Sequence, residues 1–199
     1  MLLKSVWAEH APSVSGTLTR KTVAVSTSRL LKDCPELLST DAFGALKNEG
    51  TVVCWGDEDY GGDCSEVQPQ LMDVETIYAT ERAFAAVKKD RTVVCWGNKM
   101  HGGDCSAVQQ QLVDVETIHA TYAAFAAVQR NGSVVCWGDA DFGGDCSKVQ
   151  QQLEKVAVIE AAMTCFFATK ADGSVVIWGG PACFQPSRAT QRALKSGIS

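Results

Sequence analysis

Short apolar runs recur along the chain, each closed off by polar turn residues, and runs such as Val156 to Ile159 are far too short to cross a bilayer. Ala83-Phe84-Ala85-Ala86-Val87 and Thr92 to Trp96 are compact and partly β-branched, which predicts two strands. Asp90-Arg91 separates them, and Asn131-Gly132 and Asp172-Gly173 hold the same place further on. Asn-Gly and Asp-Gly predict tight hairpins of type I′, in which both central residues need positive φ. Arg91 standing for glycine is expected to cost its hairpin some stability. A preceding strand is expected at Val74 to Ala79, with counterparts at Val115 to Ala120 and Val156 to Ala161. Three-stranded antiparallel sheets follow.

The pattern is a repeat. TVVCWG from Thr51, TVVCWG from Thr92, SVVCWG from Ser133 and SVVIWG from Ser174 align without gaps, and Trp55, Trp96, Trp137 and Trp178 stand 41 residues apart. Phe43, Phe84, Phe125 and Phe166 keep the same interval. GGDC begins at Gly61, Gly102 and Gly143, followed by V-Q-x-Q-L from Val67, Val108 and Val149. Ser65, Ser106 and Ser147 each open an S-x-x-Q capping-box pattern, which predicts a helix of one to three turns ending near Leu71, Leu112 and Leu153. Pro69 is expected to shorten or distort the first of these. One such unit cannot bury its apolar face alone, so neighbours must stack. The fold class expected is mainly β: tandem 41-residue antiparallel blades, propeller-like and incomplete, each with a short helical turn. Residues 1–35 read as a poorly ordered leader, 36–180 as three complete units and a truncated fourth, and 181–199 as a tail outside the repeat.

The pattern A-F-A-A-V-x-x-N/D-G-S-V-V-x-W-G, clearest at Ala124 to Gly138, resembles the regulator of chromosome condensation repeat over roughly residues 37–180. That resemblance implies a propeller, and a role either as guanine-nucleotide exchange factor for a small GTPase or as substrate-binding piece of a HERC-type ubiquitin ligase. The chain departs from the family pattern: G-G-D-C-S replaces the G-Q-L-G that follows the tryptophan strand, and no segment resembles a HECT catalytic domain.

Charge narrows the partner. The chain has 199 residues and a net charge of −5, but residues 33–180 alone carry 10 basic and 22 acidic side chains. Such a body repels nucleic acid and attracts a basic protein, although solubility alone also accounts for it. No nucleic acid and no membrane is therefore expected as partner. Self-association is one route to completing a ring.

Nine cysteines are present, and Ile177 stands in the place of Cys54, Cys95 and Cys136. That exchange favours compact core packing, with free thiols in a reducing, cytoplasmic setting. One disulfide per unit, between cysteines ten apart such as Cys54 and Cys64, stays open as the alternative. The acids Asp57, Asp59, Asp139 and Asp141 do not meet the register of a calcium loop and read as turn residues. Asp63, Asp104 and Asp145 are expected to hold the next turn through backbone amides. No catalytic constellation, phosphate loop, cofactor site or metal-ligand spacing stands out, so an enzyme is not expected.

Positions that vary between copies are where specificity can sit. Tyr60, His101 and Phe142 share one place in the unit, beside Asp57, Asp59, Asp139 and Asp141. Stacked repeats put equivalent loops on one face, so these planar side chains form a row. Such a row serves either to pack over the glycine pair or to bind a basic protein segment. The function expected is a non-catalytic module for protein–protein binding.

Overall fold

The computed structural model describes residues 23–26 and 42–184. Twelve strands form four three-stranded antiparallel sheets, with strand order following the chain: β1 (Val23–Ser26), β2 (Ala42–Leu46) and β3 (Val52–Gly56); β4 (Val74–Ala79), β5 (Ala83–Lys88) and β6 (Val93–Gly97); β7 (Val115–Ala120), β8 (Ala124–Gln129) and β9 (Val134–Gly138); β10 (Val156–Ala161), β11 (Cys165–Lys170) and β12 (Val175–Gly179). Register repeats with the sequence: Phe84 faces Trp96, Phe125 faces Trp137 and Phe166 faces Trp178.

The second and third sheets bury both faces of their middle strands. Ala83, Ala85, Val87, Val93 and Cys95 turn toward the following sheet and join Leu112, Ile118, Phe125 and Trp137 in one core. Their neighbours Phe84, Ala86, Val94 and Trp96 turn back and join Leu46, Val52 and Leu71 in another. A third core lies between the third and fourth sheets. The apolar runs are continuous rather than alternating because the strands are covered on both sides.

The junction between sheets is specific as well as apolar. Phe125 stacks on Trp137 at 5.1 Å between ring centroids, and the Trp137 indole N–H donates to the Gly102 carbonyl at 3.0 Å. Trp96 donates in the same way to Gly61, and Trp178 to Gly143. Gly102 adopts φ +93°, and a Cβ there would lie 2.6 Å from the Phe125 ring. Gly103 is pressed against the backbone of Gly97, which explains the second glycine of GGDC. Backbone bonds tie the sheets at both ends. Val115 N–H donates to the Arg91 carbonyl at 3.1 Å, and Glu81 N–H donates to the Tyr122 carbonyl at 3.0 Å.

Three expectations about the turns change. The hairpins hold one positive-φ residue rather than two: Arg91 at 67°, Gly132 at 80° and Gly173 at 84°. Arg91 N–H donates to the Lys88 carbonyl, so this is a four-residue turn followed by a left-handed residue. The expected helices are also absent; the V-Q-x-Q-L blocks form tight 3-10 turns at Gln68–Gln70, Gln109–Gln111 and Gln150–Gln152. Gln109 explains why. Its side-chain amide reaches across to the Val93 carbonyl at 3.0 Å instead of returning to a cap amide, which pins the segment along the strand edge. Pro69 does not shorten its turn, because the 3-10 bonds are donated by Gln70 and Leu71 and need no donor at residue 69.

The first strand also moves. Residues 1–35 read as leader, yet Val23–Ser26 forms β1, pairing Val23 with Ala45 and Val25 with Phe43. An extended Val-Ala-Val segment satisfies the free edge of β2. The 3-10 turn Pro181–Phe184 follows β12 as Glu58–Tyr60 follows β3, so the repeat runs past Gly180. The rest of the leader and the tail beyond 184 lie outside the described residues.

The eight cysteines among the described residues are paired, against the expectation of free thiols and in line with the alternative of one disulfide per unit for the first three units. Cys54 bonds Cys64, Cys95 bonds Cys105 and Cys136 bonds Cys146, with Cα atoms 5.9, 6.0 and 6.0 Å apart; Cys165 bonds Cys183 across 5.7 Å. The Gly-Gly turn returns the chain beneath the strand cysteine, and this creates the short separation. Closing loops of this size contributes roughly 2–3 kcal/mol each.

Gly102→Ala should lose about 2–4 kcal/mol in urea unfolding, since it adds a clash with Phe125 to an unfavourable φ. Gly173→Ala meets no atom within 4 Å and should lose only about 1 kcal/mol. Equal losses would contradict the junction described above.

Candidate functional site

Each unit sends two short segments to the same end of its sheet. One is the 3-10 turn after the third strand, and the other is the tip between the first and second strands. Asp57 opens the first turn by accepting from Asp59 N–H at 2.9 Å, and Asp139 does so for Asp141 at 2.8 Å. Asn98 does the same for Met100 at 3.0 Å, which is why the unit tolerates loss of charge there. These turns end at Gly61, Gly102 and Gly143 in left-handed conformation, and they present Tyr60, His101 and Phe142 just before. Asp59 and Asp141 stay exposed, whereas Asp57 and Asp139 are half-buried caps. Asp63, Asp104 and Asp145 accept from Ser65, Ser106 and Ser147 N–H as expected, and those bonds hold all three carboxyls below the usual range.

The three planar side chains are not in direct contact with one another. Residues from the strand tips fill the spaces between them. The Arg82 guanidinium lies over the Tyr60 ring, 4.5 Å from its centroid. Arg82 Nε faces Glu81 Oε2 at 3.7 Å, and His101 Nδ1 faces the same oxygen at 4.0 Å. His101 tilts against Tyr122 at 5.8 Å, and Tyr122 stacks on Phe142 at 5.3 Å. The result is one strip, Tyr60–Arg82–Glu81–His101–Tyr122–Phe142, running across the first three blades. Met163 continues it, 73% exposed.

The backbone beneath the strip is fixed. Thr80 and Thr121 hydroxyls donate to the His101 and Phe142 carbonyls at 2.9 and 2.8 Å. The tips are chained together, with Glu81 N–H on the Tyr122 carbonyl and Tyr122 N–H on the Met163 carbonyl, both at 3.0 Å. Glu81, Arg82 and Tyr122 were missed in the sequence. Their signal was the same one that singled out Tyr60, His101 and Phe142: Glu81, Tyr122 and Met163 occupy one place in the unit and differ between copies.

Charge within the strip is largely self-contained. Glu81 is 8% exposed and holds a hydrogen bond with the Tyr122 hydroxyl, which raises that phenol above its ordinary value. Burial, reinforced by the Arg82 charge, pushes the His101 imidazole down, although Glu81 pulls the other way. His119, on β7, is lowered by burial. Among the described residues, no group of three or more His, Cys, Asp or Glu side chains is placed to hold a metal ion, and no helix is long and apolar enough to cross a membrane.

No protein-family model matches the sequence, and comparison with the curated proteins gives no match. Solved structures do match. The chain is similar to yeast RCC1 (Prp20) as seen in complex with Kap60, with a TM-score of 0.52 and 16% identity over 82% of this chain and 45% of that one. It is equally similar to Prp20p from Saccharomyces cerevisiae, in a structure reported with its binding properties to Gsp1p and histones. There the TM-score is 0.52 and the identity 16%, over 81% of this chain and 54% of that one. The chain thus spans about half the length of these structures. At this identity the likeness shows the fold, and the four sheets are propeller blades.

A histidine with a depressed folded pKa binds fewer protons folded than unfolded, so its contribution to stability is full above about 6.5 and is lost as pH falls toward the folded value. Stability should therefore decline on acidification from pH 7.5 to 5, and His101→Gln should flatten part of that decline. Proton NMR titration checks the cause: a His101 midpoint at or above 6.5 would remove it.

Proposed function

We propose that the chain is a non-catalytic recognition module that binds a basic protein segment along the strip from Tyr60 to Phe142. The observation that carries the reading is the continuity of that strip across three blades on a fixed backbone. Tyr122 and Phe142 offer stacked ring faces to an incoming guanidinium, ammonium or aliphatic side chain. Exposed Asp59 and Asp141 stand at either side to fix a cationic neighbour. The acidic repeat body raises the local concentration of such a partner. A row of preset aromatics lowers the ordering cost of binding.

The finer readings rest on the repeat resemblance: an exchange factor for a small GTPase, or the substrate-recognition piece of a HERC-type ubiquitin ligase. Prp20p, whose structure was reported with binding to Gsp1p and histones, supports considering protein partners for this fold. Stimulated nucleotide release from a panel of purified small GTPases separates the exchange role from simple binding.

A second reading, self-association, is favoured by the fourth sheet. Val175 on β12 is 57% exposed at the place where Val93 and Val134 are buried in earlier blades, and Val158 on β10, 54% exposed, stands where the earlier blades carry the half-buried Thr76 and Thr117. Light scattering should report a dimer that Val175→Lys returns to monomer; a monomer at every concentration would end this reading.

Arrayed peptides rich in Lys and Arg, titrated by fluorescence anisotropy, test the main proposal. The Tyr60→Ala/Tyr122→Ala double variant should weaken binding about tenfold or more, and Asp59→Asn/Asp141→Asn should reduce its salt dependence. Affinity unchanged in both variants would overturn the assignment of the face.

A further inference from the structure

The disulfides are not scattered through the fold. Cys54–Cys64 closes the loop that carries Tyr60, Cys95–Cys105 the loop that carries His101, and Cys136–Cys146 the loop that carries Phe142. The fourth follows a different rule to a similar end. Cys183 occupies the unit position of Tyr60, His101 and Phe142, and it is bonded to Cys165 at the start of β11. Each 3-10 turn that follows a third strand is therefore fastened to a strand by a covalent bond.

The sequence itself supports the pairing. Where the fourth unit loses the strand cysteine to Ile177, it also loses the partner ten residues on, where Ser187 stands. Where it gains Cys165 in place of alanine, it gains Cys183 in place of an aromatic. Cysteines that come and go together are joined to each other.

We propose that the working form of this chain is the oxidised one, and that the disulfides act as staples that hold the recognition loops in shape, so that reduction loosens the face while leaving the blades folded. The proposal rests on the strip being the recognition surface, although its test does not. It departs from the reducing setting expected from the sequence. The blades survive reduction because Phe84, Phe125 and Phe166 are each completely buried in junctions that need no sulfur bond. The turns share that support only at their ends, where Gly61, Gly102 and Gly143 sit on the rings; their middle residues Asp59, Met100 and Asp141 are all exposed. Grooves open beside two of the bridges, one lined by Lys47, Thr51, Cys54 and Cys64 and the other by Val94, Cys95, Asp104 and Cys105; Cys54 is half-buried, and Cys64, Cys95 and Cys105 are buried at the groove walls. Closing each loop takes two protons and two electrons from a pair of thiols. A small-molecule disulfide such as oxidised glutathione accepts them and is reduced to two thiols; a dithiol reductant reverses the step.

The full chain, equilibrated with oxidised and reduced glutathione, is denatured and alkylated without further reduction. One of nine cysteines should react, and peptide mapping should recover the four pairs given above. Hydrogen exchange is then followed before and after dithiothreitol. Amides in 57–62, 98–103 and 139–144 should exchange about tenfold faster or more after reduction, while β5 and β8 stay protected. In Cys95→Ser/Cys105→Ser the acceleration should be confined to 98–103; if that variant fails to fold, the wild-type reduction remains the measure. Nine reactive cysteines after glutathione equilibration, unchanged loop exchange on full reduction, or loss of protection in β5 and β8 would each overturn the proposal. None of these readouts involves a partner, so failure of peptide binding leaves them intact.

Discussion

The array depends on a buried indole N–H finding its acceptor in another unit. Trp96, Trp137 and Trp178 are almost fully buried, and each donates to the glycine carbonyl that ends the preceding 3-10 turn. A buried donor left unsatisfied costs about 1–3 kcal/mol, so each sheet is held in one register and one orientation relative to its neighbour. The stacked phenylalanine beneath supplies the apolar area, and the glycine supplies the approach: only a residue without Cβ lets the turn sit on the ring. Hydrophobic contact alone would permit sliding. The directed bond removes that freedom.

The same junction builds the face. A glycine seated on the next unit's phenylalanine fixes the end of the turn, so the residue just before it must emerge at the same height in every blade. Thr80 and Thr121 then secure that residue's carbonyl. Tips from the first hairpins rise between the turns and are linked by backbone bonds, which brings Arg82, Glu81 and Tyr122 among Tyr60, His101 and Phe142. Variation in side chain is thus carried on an invariant backbone. That separation lets a repeat change what it recognises without changing how it folds.

Much of this was legible in the sequence because the copies could be compared with each other. Strand positions β4, β7 and β10 fall where the apolar runs place them, and the hairpins fall at Asp-Gly and Asn-Gly. The errors share a physical cause: local patterns were read without the tertiary partner that competes for them. Gln109 looked like half of a capping box, but its amide bonds the Val93 carbonyl of a neighbouring strand. Ile177 looked like evidence that cysteine serves as a small apolar residue, whereas the informative observation was the joint loss at 177 and 187. β1 was hidden because residues 27–41 separate it from β2, where residues 80–82 suffice in the second sheet. Tyr122 was hidden because its place in the unit, held by Glu81 and Met163 in the flanking copies, keeps no aromatic character between copies.

Each 41-residue stretch contains both halves of the contact it needs, a donor-bearing ring pair for what comes before and a glycine carbonyl for what comes after. A copying error that adds or removes one whole period therefore leaves no mismatched seam, while an error of any other length breaks two. Growth by in-frame duplication is the path of least resistance for such a gene.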